Sequence, residues 1–160
     1  MQKQMIPRIF VVDDEKVIAE TLALILRMSG YSARFFLNPL EALQVALSGP
    51  PDMLISDVSM PQLSGIDLAI RIREQCPRCK ILLFSGEAGT IDLLERARKQ
   101  GHDFHLLSKP IHPSDLLLRI REQAPEPGVL TTLLAGRPAP TRTLIDRSSK
   151  EKPCQATKAS

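Results

Sequence analysis

Five short apolar runs, each followed by an amphipathic stretch, alternate without interruption through residues 8–123. "RIFVVDD" reads as a strand and "EKVIAETLALILRMSG" as a helix, with Ile18, Leu22, Ile25 and Leu26 on one face and a stop at Gly30. "YSARFF" is the second strand. "NPLEALQVALSG" then opens with Asn38 as the cap, Pro39 in the first turn and Glu41 three residues after the cap. The pairs "DMLIS" and "GIDLAIRIREQ", "KILLFSG" and "TIDLLERARKQG", and "DFHLLS" and "HPSDLLLRIREQ" complete the series. Strands that are apolar throughout must be covered on both faces, so the alternation predicts an α/β fold with a parallel sheet between two helical layers. For five strands with right-handed crossovers, the common doubly wound order is 2-1-3-4-5.

Composition narrows the classes. The chain has 160 residues, 43% apolar and 24% charged, which is ordinary for a globular protein with one core. No apolar run approaches the roughly 20 residues a membrane helix needs, and "MQKQMIPRIFVVDDE" lacks a signal-peptide core. Three cysteines form no secreted disulfide framework, so a cytoplasmic location is expected. The net charge of +3 is unevenly placed: residues 1–123 hold 15 basic and 15 acidic side chains, residues 124–160 hold 6 and 3. The basic excess therefore belongs to the Pro-, Ser-, Thr- and Lys-rich segment 124–160, which is expected to be a disordered tail, and implies no nucleic-acid face on the folded part.

In an open parallel sheet, ligands bind beyond the carboxyl ends of the strands, near the switch point between strands one and three. Strand one ends in Asp13 and Asp14, strand three in Asp57, strand four in Ser85 and Gly86, and strand five in Ser108, Lys109 and Pro110. Two like charges at about 4 Å repel by roughly 4 kcal/mol at an effective dielectric near 20, so these acids require an offset. Lys109 and a divalent cation supply it, and all-oxygen ligation with retained waters suits Mg²⁺ better than zinc. A carboxylate beside a metal and a lysine is equipment for phosphoryl transfer, with Asp57 on the central strand as nucleophile.

From about Arg8 to Gln123 the chain resembles the receiver domains of two-component response regulators, the CheY-like group. The resemblance runs through "VVDDE", "LISDVSMPQLSG", "LLFSGE" and "SKP" in order. It implies a flavodoxin-like α/β fold in which Asp57 accepts phosphate from a histidine kinase or histidine phosphotransfer protein. It also implies Mg²⁺ on Asp14 directly, on Asp13 through water and on the Ser59 backbone carbonyl, beside Asp57. Ser85 and Lys109 would contact phosphoryl oxygens, and Lys109-Pro110 would be cis. Receivers usually carry an aromatic switch residue on strand five. The family spacing lands on Leu106, but residues 101–109 run one longer than usual, so a bulge placing Phe104 or His105 there stays open.

The expected protein is a single-domain response regulator: residues 8–123 are the receiver, there is no DNA-binding domain, and output goes through protein contacts to a target that the sequence does not name. A phosphate-independent receiver-fold adaptor is the rival reading. An aspartate-nucleophile phosphatase lacks its second acid, since Ser59 stands where a general acid belongs, and a flavodoxin lacks its phosphate loop and flavin-stacking aromatics. Pro61 and Gly65 shape the turn into the third helix, and Gly86 leaves room for a phosphoryl group. "CPRC", Cys76 to Cys79, follows a helix rather than opening one and reads as loop thiols, although Cys76, Cys79, His102 and His105 together also suggest a tetrahedral zinc site.

Overall fold

The computed structural model describes residues 6–86 and 89–124; the basic tail and Cys154 lie outside the described residues. The strands are β1 (Arg8–Val12), β2 (Ser32–Phe36), β3 (Met53–Asp57), β4 (Lys80–Ser85) and β5 (His105–Ser108), and the helices between and after them are α1 (Lys16–Met28), α2 (Pro39–Ser48), α3 (Gly65–Gln75), α4 (Thr90–Lys99) and α5 (Pro113–Gln123). They form one parallel sheet in the order β2-β1-β3-β4-β5, as the alternation predicts. Among the described residues no helix is long and apolar enough to cross a membrane.

Strand side chains alternate between faces, so each strand feeds two cores. Phe10, Val12, Leu54 and Leu83 pack under α2 and α3 with Ala42, Leu68 and Ile72. Ile9, Val11, Ile55, Leu82 and Phe84 pack on the opposite face with Ala23, Leu26, Leu116 and Ile120 from α1 and α5. β3 lies at the centre and is buried along its whole length. That burial explains the uninterrupted apolar run that ends at Asp57.

Local chemistry sets where the helices begin. Asn38 accepts the Leu40 N–H at 2.8 Å with Pro39 in the first turn of α2. Ser64 accepts the Asp67 N–H at 3.1 Å and donates its hydroxyl to the Asp67 carboxylate at 2.7 Å. α1 stops where Gly30 takes φ 92°, a conformation glycine adopts without steric cost. The face that α1 turns inward differs from the one its large residues suggest. Ala19, Ala23 and Leu26 are its buried residues, while Ile18, Leu22 and Ile25 are half-buried flanks. Two alanines on the inner face let the helix lie close to the sheet.

β5 is shorter than "DFHLLS". Gly101 takes φ 89°, His102 N–H bonds back to the Ala97 carbonyl at 3.0 Å, and the Asp103 carboxylate accepts from Arg98, so the chain is still leaving α4 at Asp103. Pairing then runs one to one from Leu82 with His105 to Ser85 with Ser108. The expected alternative of a bulge is corrected by this register: Leu106, opposite Leu83, occupies the position given by the family spacing. Phe104 is buried just before the strand begins, and His105 is exposed.

Candidate functional site

The carboxyl ends of β1, β3 and β5 bring three of the expected residues into direct contact. Lys109 Nζ lies 2.6 Å from Asp57 Oδ1 and 3.1 Å from Asp13 Oδ2. Both acids are buried, at 6% and 1% exposure, so this ammonium is the positive charge that serves them in the fold. The other oxygens are held by main chain: the Ser59 N–H donates to Asp57 Oδ2 at 2.8 Å, and the Glu15 N–H donates to Asp13 Oδ1 at 2.9 Å. These are hydrogen bonds to ionised acceptors, which are the stronger kind.

Burial is the largest influence on Asp13 and pushes its pKa up, against the Glu15 N–H and Lys109, which pull it down. An ionised Asp13 is thus costly where it sits. For Lys109 burial would lower the pKa, but its bonds to Asp57 and Asp13 and their charges outweigh that and raise it. The lysine is therefore a firm cation at neutral pH.

Close packing fixes the carrier of Asp57. A Cβ added to Gly65 would stand 1.9 Å from the Asp57 carbonyl oxygen, and the Ser56 hydroxyl donates to that same oxygen at 2.9 Å. The Gly65 N–H donates to the Val58 carbonyl at 3.0 Å and the Val58 N–H to the Phe84 carbonyl at 2.9 Å, which ties the loop after β3 to β4. Gln62, at φ 70°, turns the chain between Pro61 and Ser64. At the end of β4, a Cβ on Gly86 would meet, among the described residues, Lys109 Cβ at 3.8 Å, an ordinary contact distance.

The remaining expected residues stand further out. Asp14 and Ser59 are exposed at the same rim. Ser85 is joined to β5 through its carbonyl, which accepts the Lys109 N–H at 2.8 Å, while its hydroxyl is hydrogen bonded to that of Thr90. The peptide between Lys109 and Pro110 is cis. Thr90, buried at the first position of α4, was not singled out by sequence; the signal was a hydroxyl five residues after Ser85 in "SGEAGT".

Among the described residues no three His, Cys, Asp or Glu side chains are drawn together to hold a metal by themselves. For zinc, which needs four protein ligands in a structural site, this corrects the suggestion built on Cys76, Cys79, His102 and His105. The physical reason lies in β5: Phe104 turns into the core under α3 and α4, His102 stacks on it at 6.0 Å, and His105 stands on the other face with Leu107. Cys79 is buried, and burial pushes its thiol up to about 12, while Cys76 is also raised by burial. Unactivated loop thiols are what "CPRC" suggests. Mg²⁺ is a different case, because it retains waters and needs only one or two carboxylates. Asp13, Asp14 and Asp57 are oxygen donors of the right type, and the costly burial of Asp13 beside a second acid is the environment a hard cation relieves.

A 2-1-3-4-5 parallel sheet with acids at its switch point and a lysine from β5 between them defines an α/β protein of the CheY-like fold. The chain belongs to the response regulator receiver domain family, whose model matches residues 9–121. It is 29% identical over 123 residues to the probable transcriptional regulatory protein TcrX of Mycobacterium tuberculosis, covering 77% of this chain and 52% of that protein. It is 31% identical over 114 residues to the transcriptional regulatory protein DltR of Streptococcus agalactiae, covering 71% and 50%. The chain thus spans about half the length of these curated relatives. Among solved structures, the signal receiver domain of an HD domain-containing protein from Pseudomonas fluorescens Pf-5 is 32% identical with a TM-score of 0.68, covering 74% of this chain and 94% of that one. The chemotaxis protein CheY4 of Vibrio cholerae is 26% identical with a TM-score of 0.66, covering 74% and 99%.

Proposed function

We propose that Asp57 is the phosphoacceptor of a two-component phosphorelay, supplied by a histidine kinase or a histidine phosphotransfer protein. The observation that carries this reading is the Lys109 ammonium bridging Asp57 and Asp13 at the carboxyl rim of the sheet. In the transfer an Asp57 carboxylate oxygen attacks phosphorus, the bond from phosphorus to the donor histidine nitrogen breaks, and an aspartyl phosphate forms. Lys109 neutralises charge on the equatorial oxygens, and the Ser85 hydroxyl donates to one of them. Asp13, Asp14, Asp57 and the Ser59 carbonyl are the groups that would hold Mg²⁺, which supplies further neutralisation of the phosphoryl charge when bound. Hydrolysis of its own aspartyl phosphate is the only turnover assigned to the chain.

Output, in this reading, goes through altered protein contacts, because a new dianion selects the conformation that best supplies donors to it. One observation favours a second reading, an adaptor that does not depend on phosphate: the switch position on β5 is the aliphatic Leu106. Incubation with acetyl phosphate and Mg²⁺ followed by intact mass separates the two. A single phosphoryl adduct, absent in Asp57→Asn and in chelator, is the expected result; a folded wild type that takes no label belongs to the adaptor reading.

A further inference from the structure

We propose that Thr90 is a positioning residue that couples the Ser85 hydroxyl to α4, so that the first turn of α4 follows Ser85 when a phosphoryl group draws it. The inference rests on the reading that Asp57 takes a phosphoryl group. Both hydroxyls are buried, Ser85 at 5% and Thr90 at 2% exposure, and they are hydrogen bonded to each other. A hydroxyl has one proton to donate and two lone pairs to accept with. A Ser85 hydroxyl that accepts from Thr90 keeps its own proton for a phosphoryl oxygen, and in that arrangement the three groups form one polarised chain. Breaking the pair would strand a buried Thr90 hydroxyl, which is costly, so Thr90 travels with Ser85.

The surroundings suit that role. The backbone of Ser85 is pinned to β5 through the Lys109 N–H, so its response to a new acceptor is a side-chain movement. On β5 the residue opposite Leu83 is the aliphatic Leu106, so no aromatic ring on that strand registers the movement. α4 is lightly anchored: only Thr90 and Ala97 are buried, and its cap, Gly89, contributes no side-chain bond. Ile91 and Leu93 on the same first turn are exposed, at 59% and 41%, so a small displacement of Thr90 moves an apolar outer surface.

The test uses the full chain with beryllofluoride and Mg²⁺ as the phosphoryl mimic, with fluorine resonances reporting binding and amide hydrogen exchange reporting α4. In the wild type, binding that is lost in Asp57→Asn is expected to change exchange across Thr90–Lys99. Thr90→Val is expected to bind about fivefold more weakly, the value of one hydrogen bond, with exchange in α4 no longer responding. Thr90→Ser, which keeps the hydroxyl, restores both. If Thr90→Val does not fold, Thr90→Ala replaces it with the same expected result. A wild-type α4 response in the variant without the hydroxyl, or no α4 response in the wild type when beryllofluoride is bound, overturns the role of Thr90. Absence of any binding at Asp57 instead overturns the phosphoacceptor reading beneath it.

Discussion

Lys109 reaches across the rim of the sheet to bond Asp57 at 2.6 Å and Asp13 at 3.1 Å, so one side chain from β5 serves acids from β3 and β1. Replacing it with Gln removes the charge and, with a side chain one bond shorter, draws the remaining donor back from both acids. Labelling of Lys109→Gln by acetyl phosphate is expected to slow by about a hundredfold, the usual loss when one donor to a developing oxyanion is removed. Its melting temperature in chelator should also fall, because two buried acids lose their cation. Rates from intact mass and melts by circular dichroism check the two arms.

Asp13 carries the opposite stability effect. Its pKa is raised chiefly by burial, so the native state holds that proton more tightly than the unfolded chain does, and stability falls as pH rises from 3.8 through the raised value. Asp13→Asn should therefore melt higher than the wild type at neutral pH in chelator. The difference should shrink as pH falls toward 3.8. Excess Mg²⁺ should raise the wild-type melting temperature and leave the variant nearly unmoved. An Asp13→Asn variant stabilised by Mg²⁺ as much as the wild type would remove Asp13 from the proposed ligand set.

Gly65 is required by space rather than by φ. A methyl group there would stand 1.9 Å from the Asp57 carbonyl oxygen and 2.8 Å from its carbon, and both are backbone atoms that cannot swing aside. Gly65→Ala is expected to cost about 1–3 kcal/mol in urea unfolding, as overpacking does, and to displace Asp57 enough to slow labelling. Gly89→Ala, where no described residue lies within 4 Å of an added Cβ, is the control and should be near neutral in stability.

Cys79 gives a pH dependence remote from the rim. Its thiol is pushed up to about 12 from 9.0, mainly by burial. The native state keeps a proton that the unfolded chain sheds, so this group's contribution to stability falls as pH climbs from about 9 toward 12. Under reducing conditions Cys79→Ala should lose less stability over that range than the wild type. In native protein at pH 8 a thiol reagent should modify the half-buried Cys76 and spare Cys79.

Sequence carried the architecture because the alternation of apolar and amphipathic runs is imposed by a two-faced core. Asp57 announces itself by ending the most deeply buried strand, and Asp13 and Lys109 by ending β1 and β5. What was not legible depends on contacts between segments. Which face of α1 turns inward was decided by how closely Ala19 and Ala23 let it approach the sheet. The start of β5 was decided by the bonds of His102 and Asp103 back to α4, which put Leu106 rather than an aromatic at the switch position. Thr90 has meaning only beside Ser85.

Whether Asp57 itself carries the phosphoryl group is read by borohydride reduction, which converts an aspartyl phosphate to homoserine while leaving free carboxylates and phosphoesters intact, with peptide mass spectrometry locating the product. After acetyl phosphate and Mg²⁺, homoserine is expected at position 57 and at no other acid. Homoserine at Asp13 or Asp14, or a phosphorylated protein that yields none at position 57, would overturn the role of Asp57 as phosphoacceptor.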